Sequence, residues 1–205
     1  MSLTLADLIG DVRDLIGSGA YDRLFSQEMT VKGLNFACTQ CAESMDLTRV
    51  DVCLTVTANQ AAQPADAVKL VSLQTWWTNS GGKTMGKNLY ESTMEAEDQK
   101  NLNWRSRAGE PTVWIPYSGN TILLNGQPGS GYVQVGYIQE PTPMVNLTDS
   151  PDSRIKDFLH QFFRFAAASW LTKQVGQGQN LKKSREYYAD FIAGIKNTAS
   201  DGDDD

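Results

Sequence analysis

The sequence predicts an α+β fold: a bundle of N- and C-terminal helices with a small antiparallel β-sandwich or barrel inserted between them. In residues 1–48 and 145–197, apolar residues recur at helical spacing. In residues 49–144 they alternate with polar residues, as in strands that have one buried face. We therefore expect one discontinuous helical domain and one inserted β-rich subdomain. Residues 198–205 are expected to be an acidic, flexible tail.

Two helices are predicted before the sheet. The first begins at Thr4, whose hydroxyl can accept from an early helical N–H, and Asp7 suits the positive end of a helix. Its apolar face comprises Leu5, Leu8, Ile9, Val12 and Ile16. The Gly-Ser-Gly segment at residues 17–19 is expected to end it. Ser26 can cap the second helix, whose apolar face comprises Leu34, Cys38, Cys41 and Met45.

Roughly five strands are predicted in the inserted region, at the spacing typical of a small antiparallel sandwich or barrel. Val50, Val52, Leu54 and Val56 alternate with polar residues in the first strand. The others are predicted at residues 67–79, 112–117, 121–124 and 132–140. A loop is expected at residues 58–66, and turns at residues 79–82, 118–120 and 127–131. The acidic segment at residues 94–104 is expected to be a short helix or an irregular bridge.

Two helices are predicted after the sheet. Ser150 and Pro151 indicate a helix start, since proline is tolerated at the first helical position. Asp149 and Asp152 would then be explained by the helix dipole. A wide apolar face runs on to Val175. The last helix is predicted from about Leu181.

The amino-acid composition argues against a protein that binds nucleic acid tightly. The net charge is −6 and the isoelectric point is about 4.8, whereas phosphate contacts need clustered lysine and arginine. DNA could still pass an acidic surface without binding to it. The N-terminal region does not resemble a signal peptide, and no apolar run approaches the ~18 residues of a membrane span. Three cysteines suit a reducing compartment.

No catalytic set is evident in the sequence, so no enzyme activity, cofactor or metal is expected. The sole histidine, His160, is interpreted as an ordinary polar position on a helix flank. Cys38 and Cys41 form a CxxC motif in mid-helix on the apolar face, which favours packing over redox chemistry. A zinc site would need Cys53 and His160 as further ligands. The Gly-Gly-Lys-Thr stretch at residues 81–84 lacks the earlier glycine of a phosphate-binding loop.

The tryptophans indicate an alternative class of function, the binding of a carbohydrate or another ligand. Trp76, Trp77, Trp104 and Trp114 could form a stacking platform for a sugar, since aromatic rings bind flat apolar faces well. The alternative function is thus a carbohydrate- or ligand-binding β-module on a helical stalk. Alternating positions in a sandwich core also explain at least half of these residues.

Three segments in order carry a resemblance to a known family. They are "PADAVKLVSLQTWW" at residues 64–77, "LNWRSRAGEPTVWIPYSGNTILLNGQPGSGYVQVGYI" at 102–138 and "PTPM" at 141–144, followed by a helix that contains His160. Together they resemble the head-to-tail adaptor (head completion, connector) proteins of tailed bacteriophages, in particular the short-tailed type. The hairpin "LLNGQPG" departs from the family pattern, in which an aromatic residue and a second proline are expected.

The resemblance implies a structural virion protein. It would form a ring, commonly a dodecamer, between the portal protein and a tail (nozzle or tube) protein, after assembly in the host cytoplasm. DNA would be a partner only by non-specific passage through the channel, and no membrane is involved.

Two sets of residues are candidates for contacts in such a ring. By position, the resemblance implies portal docking by the last helix and the tail; the docking residues are Tyr188, Phe191, Ile192, Ile195 and Lys196. The preceding helix carries more aromatic surface than a narrow stripe can bury, which favours an interface between copies as much as a plain helix core. The candidate ring-interface residues are Phe158, Phe162, Phe163, Phe165 and Trp170.

Overall fold

The structure, a computed structural model, describes residues 3–77, 88–117, 120–126, 129–175 and 178–200. The chain divides into two compact units, Met1–Thr48 with Glu140–Asp205, and Arg49–Gln139. Helices dominate the first unit and strands the second, so the predicted α+β class is confirmed. The predicted turn at residues 79–82 and the Gly-Gly-Lys-Thr stretch lie outside the described residues, as do residues 118–119, 127–128 and 201–205 of the other predicted turns and the tail. The prediction of a turn over residues 127–131 is wrong from Gly129 onward, where a strand begins, and residues 198–200 of the predicted tail are helical.

Six α-helices are present in the described part of the chain. They are α1 (Leu5–Ile16), α2 (Ser18–Leu24), α3 (Gln27–Met45), α4 (Met94–Lys100), α5 (Phe163–Gln174) and α6 (Gly178–Ser200). All except α4 belong to the first unit, which we call the helical unit. A 3₁₀ segment, Asp157–Phe162, leads directly into α5.

The predicted ends of α1 and the start of α3 are confirmed. The Thr4 hydroxyl accepts from the backbone N–H of Asp7 at 3.3 Å, and the Asp7 carboxylate accepts from the backbone N–H of Thr4 at 2.9 Å. Gly17, at φ +89°, ends α1, and the Ser26 hydroxyl caps α3 by accepting from the N–H of Met29. Sequence analysis missed α2, because this short helix buries a single residue, Tyr21, and so shows no apolar periodicity.

The core of the helical unit joins helices from both ends of the chain. Its buried residues include Leu5, Leu8, Val12, Leu34, Cys38, Cys41, Phe163, Ala167, Leu171, Phe191 and Ile195. Small residues bring α3 and α5 close together: a Cβ built at Gly33 would stand 3.4 Å from the carbonyl oxygen of Ala167. The apolar faces predicted for α1 and α3 therefore meet those of the helices after the sheet.

The helix predicted to begin at Ser150 and Pro151 does not begin there. Residues 151–156 form turns, and the α-helix starts at Phe163. The buried Asp152 carboxylate accepts from the backbone N–H groups of Thr142 and Arg154, at 2.9 and 3.0 Å, and from the Arg154 guanidinium at 2.7 Å. The carboxylate thus holds together a loop whose two ends, Thr142 and Asp152, are ten positions apart in the sequence. The helix-dipole interpretation of Asp152 is wrong, and so is that of Asp149, which accepts from the N–H groups of Val145 and Asn146.

The described part of the second unit forms a seven-stranded, nearly closed barrel. Its strands are β1 (Arg49–Ala58), β2 (Gln60–Ala62), β3 (Ala67–Trp77), β4 (Tyr90–Glu91), β5 (Val113–Tyr117), β6 (Thr121–Leu124) and β7 (Gly129–Gln139), in the order β3-β7-β1-β2-β6-β5-β4. All neighbours are antiparallel except β4 and β5, so the sheet is mixed rather than purely antiparallel. The strands beyond the predicted five are β2, which lies in the predicted loop, and β4. Two or three residues are too few to show alternation.

The alternation predicted for β1 is confirmed, whereas in the hairpin of β5 and β6 consecutive residues are buried on both faces. Val56 is buried in the barrel with Trp114, Ile122 and Leu124, whereas Tyr117 is 46% exposed. The Asn125 side chain closes this hairpin by accepting from the backbone N–H groups of Thr112 and Val113. The stretch from Gly109 to Leu124 is therefore scaffold of the barrel.

Candidate interaction surfaces

The predicted ring-interface residues occupy different depths in the helical unit. Phe158 is 45% exposed, with the Lys156 ammonium 5.8 Å from its ring centre. Phe163 is fully buried. The other three, Phe162, Phe165 and Trp170, are partly buried and pack against the core. Phe158 therefore offers the most surface of the five, and Phe163 offers none.

The predicted docking residues lie on two faces of α6. Phe191 and Ile195 are buried in the core of the helical unit, and Ile192 packs against that core. Tyr188 is 37% exposed, and Lys196 is also exposed. The helix is thus held on its unit by one face and presents the other to solvent.

A groove of about 740 Å³ lies between α3, α5 and α6, and we call it the α5–α6 groove. Phe36 and Trp170 supply apolar surface, and the Tyr188 hydroxyl donates to the Gln40 side chain at 3.1 Å. The lining also includes Lys173 and Arg185, both exposed. Neither of these cations has an ion-pair partner within the described residues.

Sequence analysis missed this groove. The nearby acid Glu186 pairs with Lys182, whose Nζ lies 3.9 Å from its carboxylate, and not with Arg185. A signal was present, because Leu181, Arg185 and Tyr188 fall at helical spacing on one face of α6. The contributions of α3 and α5 could not be read from that spacing.

Comparison with known proteins places the chain in a family. A family model described as SU10 adaptor protein matches residues 3–205. The chain belongs to this family. The resemblance predicted from the segments at residues 64–77, 102–138 and 141–144 is confirmed. No curated protein matches the chain.

Membership gives the adaptor its general role. It is a phage head–tail adaptor, a structural protein and a component of the virion, and it interacts with other head and tail proteins of the phage. The family is not an enzyme class. No helix in the described ranges is long and apolar enough to cross a membrane.

The single histidine of the adaptor is a core residue, which corrects the prediction of a helix flank. His160 is 1% exposed and lies in the 3₁₀ segment, and its Nε2 is 3.2 Å from the carbonyl oxygen of Ile155. Its ring packs on Phe163, and burial lowers the pKa of the imidazole. The neutral form is therefore favoured.

The CxxC cysteines of the adaptor pack as small apolar residues, as predicted. Cys38 and Cys41 are buried in α3, while Cys53 is exposed. Burial raises the pKa of Cys38 far above its usual range and that of Cys41 to about 12, so both remain thiols at neutral pH. Across the residues the structure describes, no three His, Cys, Asp or Glu side chains are grouped to hold a metal ion.

Two of the four tryptophans proposed as a sugar platform are buried. Trp104 donates through its indole N–H to Asp98 at 2.7 Å, and Trp114 lies in the barrel core. Neither ring has an open face on which a sugar could stack. The side chains of Trp76 and Trp77 lie outside the described residues.

Proposed function

We propose that the adaptor forms a ring, a dodecamer, between the portal protein and a tail (nozzle or tube) protein, and so joins head to tail. The observation that carries this proposal is the match of residues 3–205, nearly the whole chain, to the phage adaptor family. A closed ring of identical subunits requires head-to-tail interfaces, in which two different surfaces of the chain meet.

One surface for contact between copies is the 3₁₀ segment and α5. Phe158 is exposed on a unit that already has a well-filled core, and a large apolar side chain in that position favours an interface role. Phe162, Phe165 and Trp170 would extend the contact from their partly buried positions. Phe163 would support it from the core.

Portal docking is assigned to α6. Tyr188 and Lys196 offer exposed aromatic and cationic groups, and Ile192, which packs against the core, lies between them at helical spacing. Phe191 and Ile195 hold the helix on its unit, so they contribute to docking by fixing its position. A rigid, anchored helix loses little conformational entropy when it binds.

The genome would pass through the centre of the ring. With a net charge of −6, the adaptor would repel DNA phosphates wherever its acidic surface lines the channel, so DNA could slide without binding. The adaptor would join heads in the host cytoplasm after genome packaging. It would hold DNA in the filled head until ejection.

Co-sedimentation with purified phage heads tests the docking step. Wild-type adaptor is expected to sediment with DNA-filled, tailless heads but not with heads that lack the portal. Lys196→Glu should weaken this binding by about tenfold, as expected for loss of one charged contact. Lys183→Glu is the matched control, since Lys183 is exposed on the same helix and the charge change is identical. Equal binding of the two variants would refute the role of α6, and no binding of wild type would refute the ring.

A further inference from the structure

We propose that the α5–α6 groove of one adaptor copy binds the acidic segment Asp201–Asp205 of a neighbouring copy. The proposal rests on the proposed ring only in requiring that copies lie side by side. It adds a specific contact between copies next to the proposed portal contact, since Tyr188 belongs to both surfaces. It also assigns the acidic tail to a neighbour rather than to the portal.

The groove has the chemistry to bind an acidic peptide. Lys173 on α5 and Arg185 on α6 both line it, are both exposed, and form no ion pair with any described residue. Trp170 and Tyr188 also line the groove, and their rings provide apolar surface for a peptide backbone. Arginine is especially suited to this role because its guanidinium can bind a carboxylate through two parallel hydrogen bonds.

The segment that follows α6 has the complementary charge. Residues 201–205 read Asp-Gly-Asp-Asp-Asp, so four of the five side chains are carboxylates. A pair of cations and a run of carboxylates would attract each other over about a Debye length of ~8–10 Å at ordinary salt. Such complementarity speeds encounter and fixes which surfaces meet.

Geometry favours the tail of a neighbour over the tail of the same copy. Arg185 precedes Ser200, the last residue of α6, by 15 positions, which corresponds to about 22 Å of helix. Asp205 follows Ser200 by five positions and reaches at most about 17 Å even when fully extended. A tail that doubled back along its own helix would bring only its last residue near the Arg185 side chain, and only when fully extended, so its other carboxylates would lie short of the groove cations. The contact therefore joins different surfaces of two copies, as a ring requires.

Peptide binding tests the charge complementarity. The probe is a fluorescent peptide with the sequence of residues 197–205, and its anisotropy is measured against full-length adaptor. Binding is expected to weaken by about tenfold or more in a Lys173→Glu/Arg185→Glu double variant, and to weaken as salt rises. The control is Lys183→Glu/Lys196→Glu, which makes the same charge change at exposed positions outside the groove. Equal loss in both variants, or no binding to wild type, would overturn the proposal.

Disulfide trapping identifies the occupant. Both preparations carry Cys53→Ser, which removes the exposed cysteine. One of them also carries Asp203→Cys in the tail, and the other carries Gln174→Cys, which lines the groove at the C-terminal end of α5. On DNA-filled heads, the mixture is expected to give a crosslinked adaptor dimer. A crosslink to the portal protein, or a crosslink within one chain when both cysteines are in the same copy, would overturn the choice of a neighbour. If wild type still binds heads while no dimer forms, this inference fails and the proposed ring stands.

Discussion

The Phe162 ring lies directly against the backbone of Gly194. A Cβ built at Gly194 would stand 2.3 Å from Cδ1 and 2.5 Å from Cε1 of that ring, closer than real Cβ contacts allow. The glycine therefore sets how closely α6 approaches the 3₁₀ segment. Phe162, which the sequence suggested for an interface between copies, therefore also determines the position of α6, the helix proposed to dock on the portal.

Gly194→Ala is expected to destabilise the helical unit. The added methyl group must displace Phe162 or shift α6, and overpacking of this kind costs about 1–3 kcal/mol, partly offset by the better helix propensity of alanine. The free energy of unfolding in urea measures the effect. Gly10→Ala is the control: Gly10 lies in α1 with nothing within 4 Å of its added Cβ, so this change should be neutral or mildly stabilising. Equal stability of the two variants would contradict the contact.

Asp152→Asn should destabilise the adaptor at neutral pH by about 2 kcal/mol, since hydrogen bonds to a charged group contribute about 1.5–3 kcal/mol. The Arg154 guanidinium beside Asp152 holds the pKa of the carboxyl well below its usual range. Because the folded pKa is the lower one, the contribution is fully present above the unfolded pKa of about 4 and is lost as pH falls toward the folded pKa.

Unfolding free energies at pH 7 and at pH 3 test this account of Asp152. The difference between wild type and Asp152→Asn is expected to be smaller at the lower pH. Asp14→Asn removes the same charge from an exposed position and should change stability little at either pH. A difference that does not depend on pH would show that the carboxylate charge is not what stabilises the loop.

Thiol chemistry should separate Cys53 from the other two cysteines. In the native protein, Ellman's reagent is expected to react quickly with Cys53 alone, because Cys38 and Cys41 are buried and their pKa values are strongly raised. All three should react in denaturant. In a Cys53→Ser variant the fast phase should disappear. A fast phase that persists in this variant would mean that the α3 thiols are accessible.

Asn35→Asp should weaken the attachment of the chain that returns from the barrel. The Asn35 side chain accepts from the N–H of Met144 at 2.9 Å and donates to its carbonyl oxygen at 3.0 Å. A carboxylate can still accept from the N–H of Met144, but it repels the carbonyl oxygen to which the amide donated. The free energy of unfolding is therefore expected to fall by about 1–3 kcal/mol. Thermal unfolding measures the loss. Asn88→Asp, which makes the same substitution at an exposed residue, controls for net charge. An unchanged melting temperature for Asn35→Asp would contradict the bond pair.

The sequence was most informative where the cause of a structure is local. The Thr4 and Ser26 caps lie within three residues of the groups they bind, and the apolar stripes that follow them are continuous. The same holds for β1, whose side chains alternate along one strand. These elements could be predicted because neighbouring residues determine them.

The features that escaped prediction depend on residues far apart in the chain. The loop before α5 is held by the hydrogen bond from the N–H of Thr142 to Asp152, which the apolar spacing that begins at Ile155 does not reveal. The burial of His160 could not be predicted, because the histidine is polar and is followed by the polar residue Gln161. The α5–α6 groove exists only because Lys173 and Arg185, on different helices, line the same space.

Electron microscopy of phage heads tests the central claim most directly. DNA-filled, tailless heads that carry the portal are incubated with the purified adaptor and imaged at the portal vertex. The account predicts a ring of added density beneath the portal, which is weakened in the Lys196→Glu variant and kept in the Lys183→Glu variant. Heads that gain no density at the vertex, although the adaptor is folded and present in excess, would contradict the account.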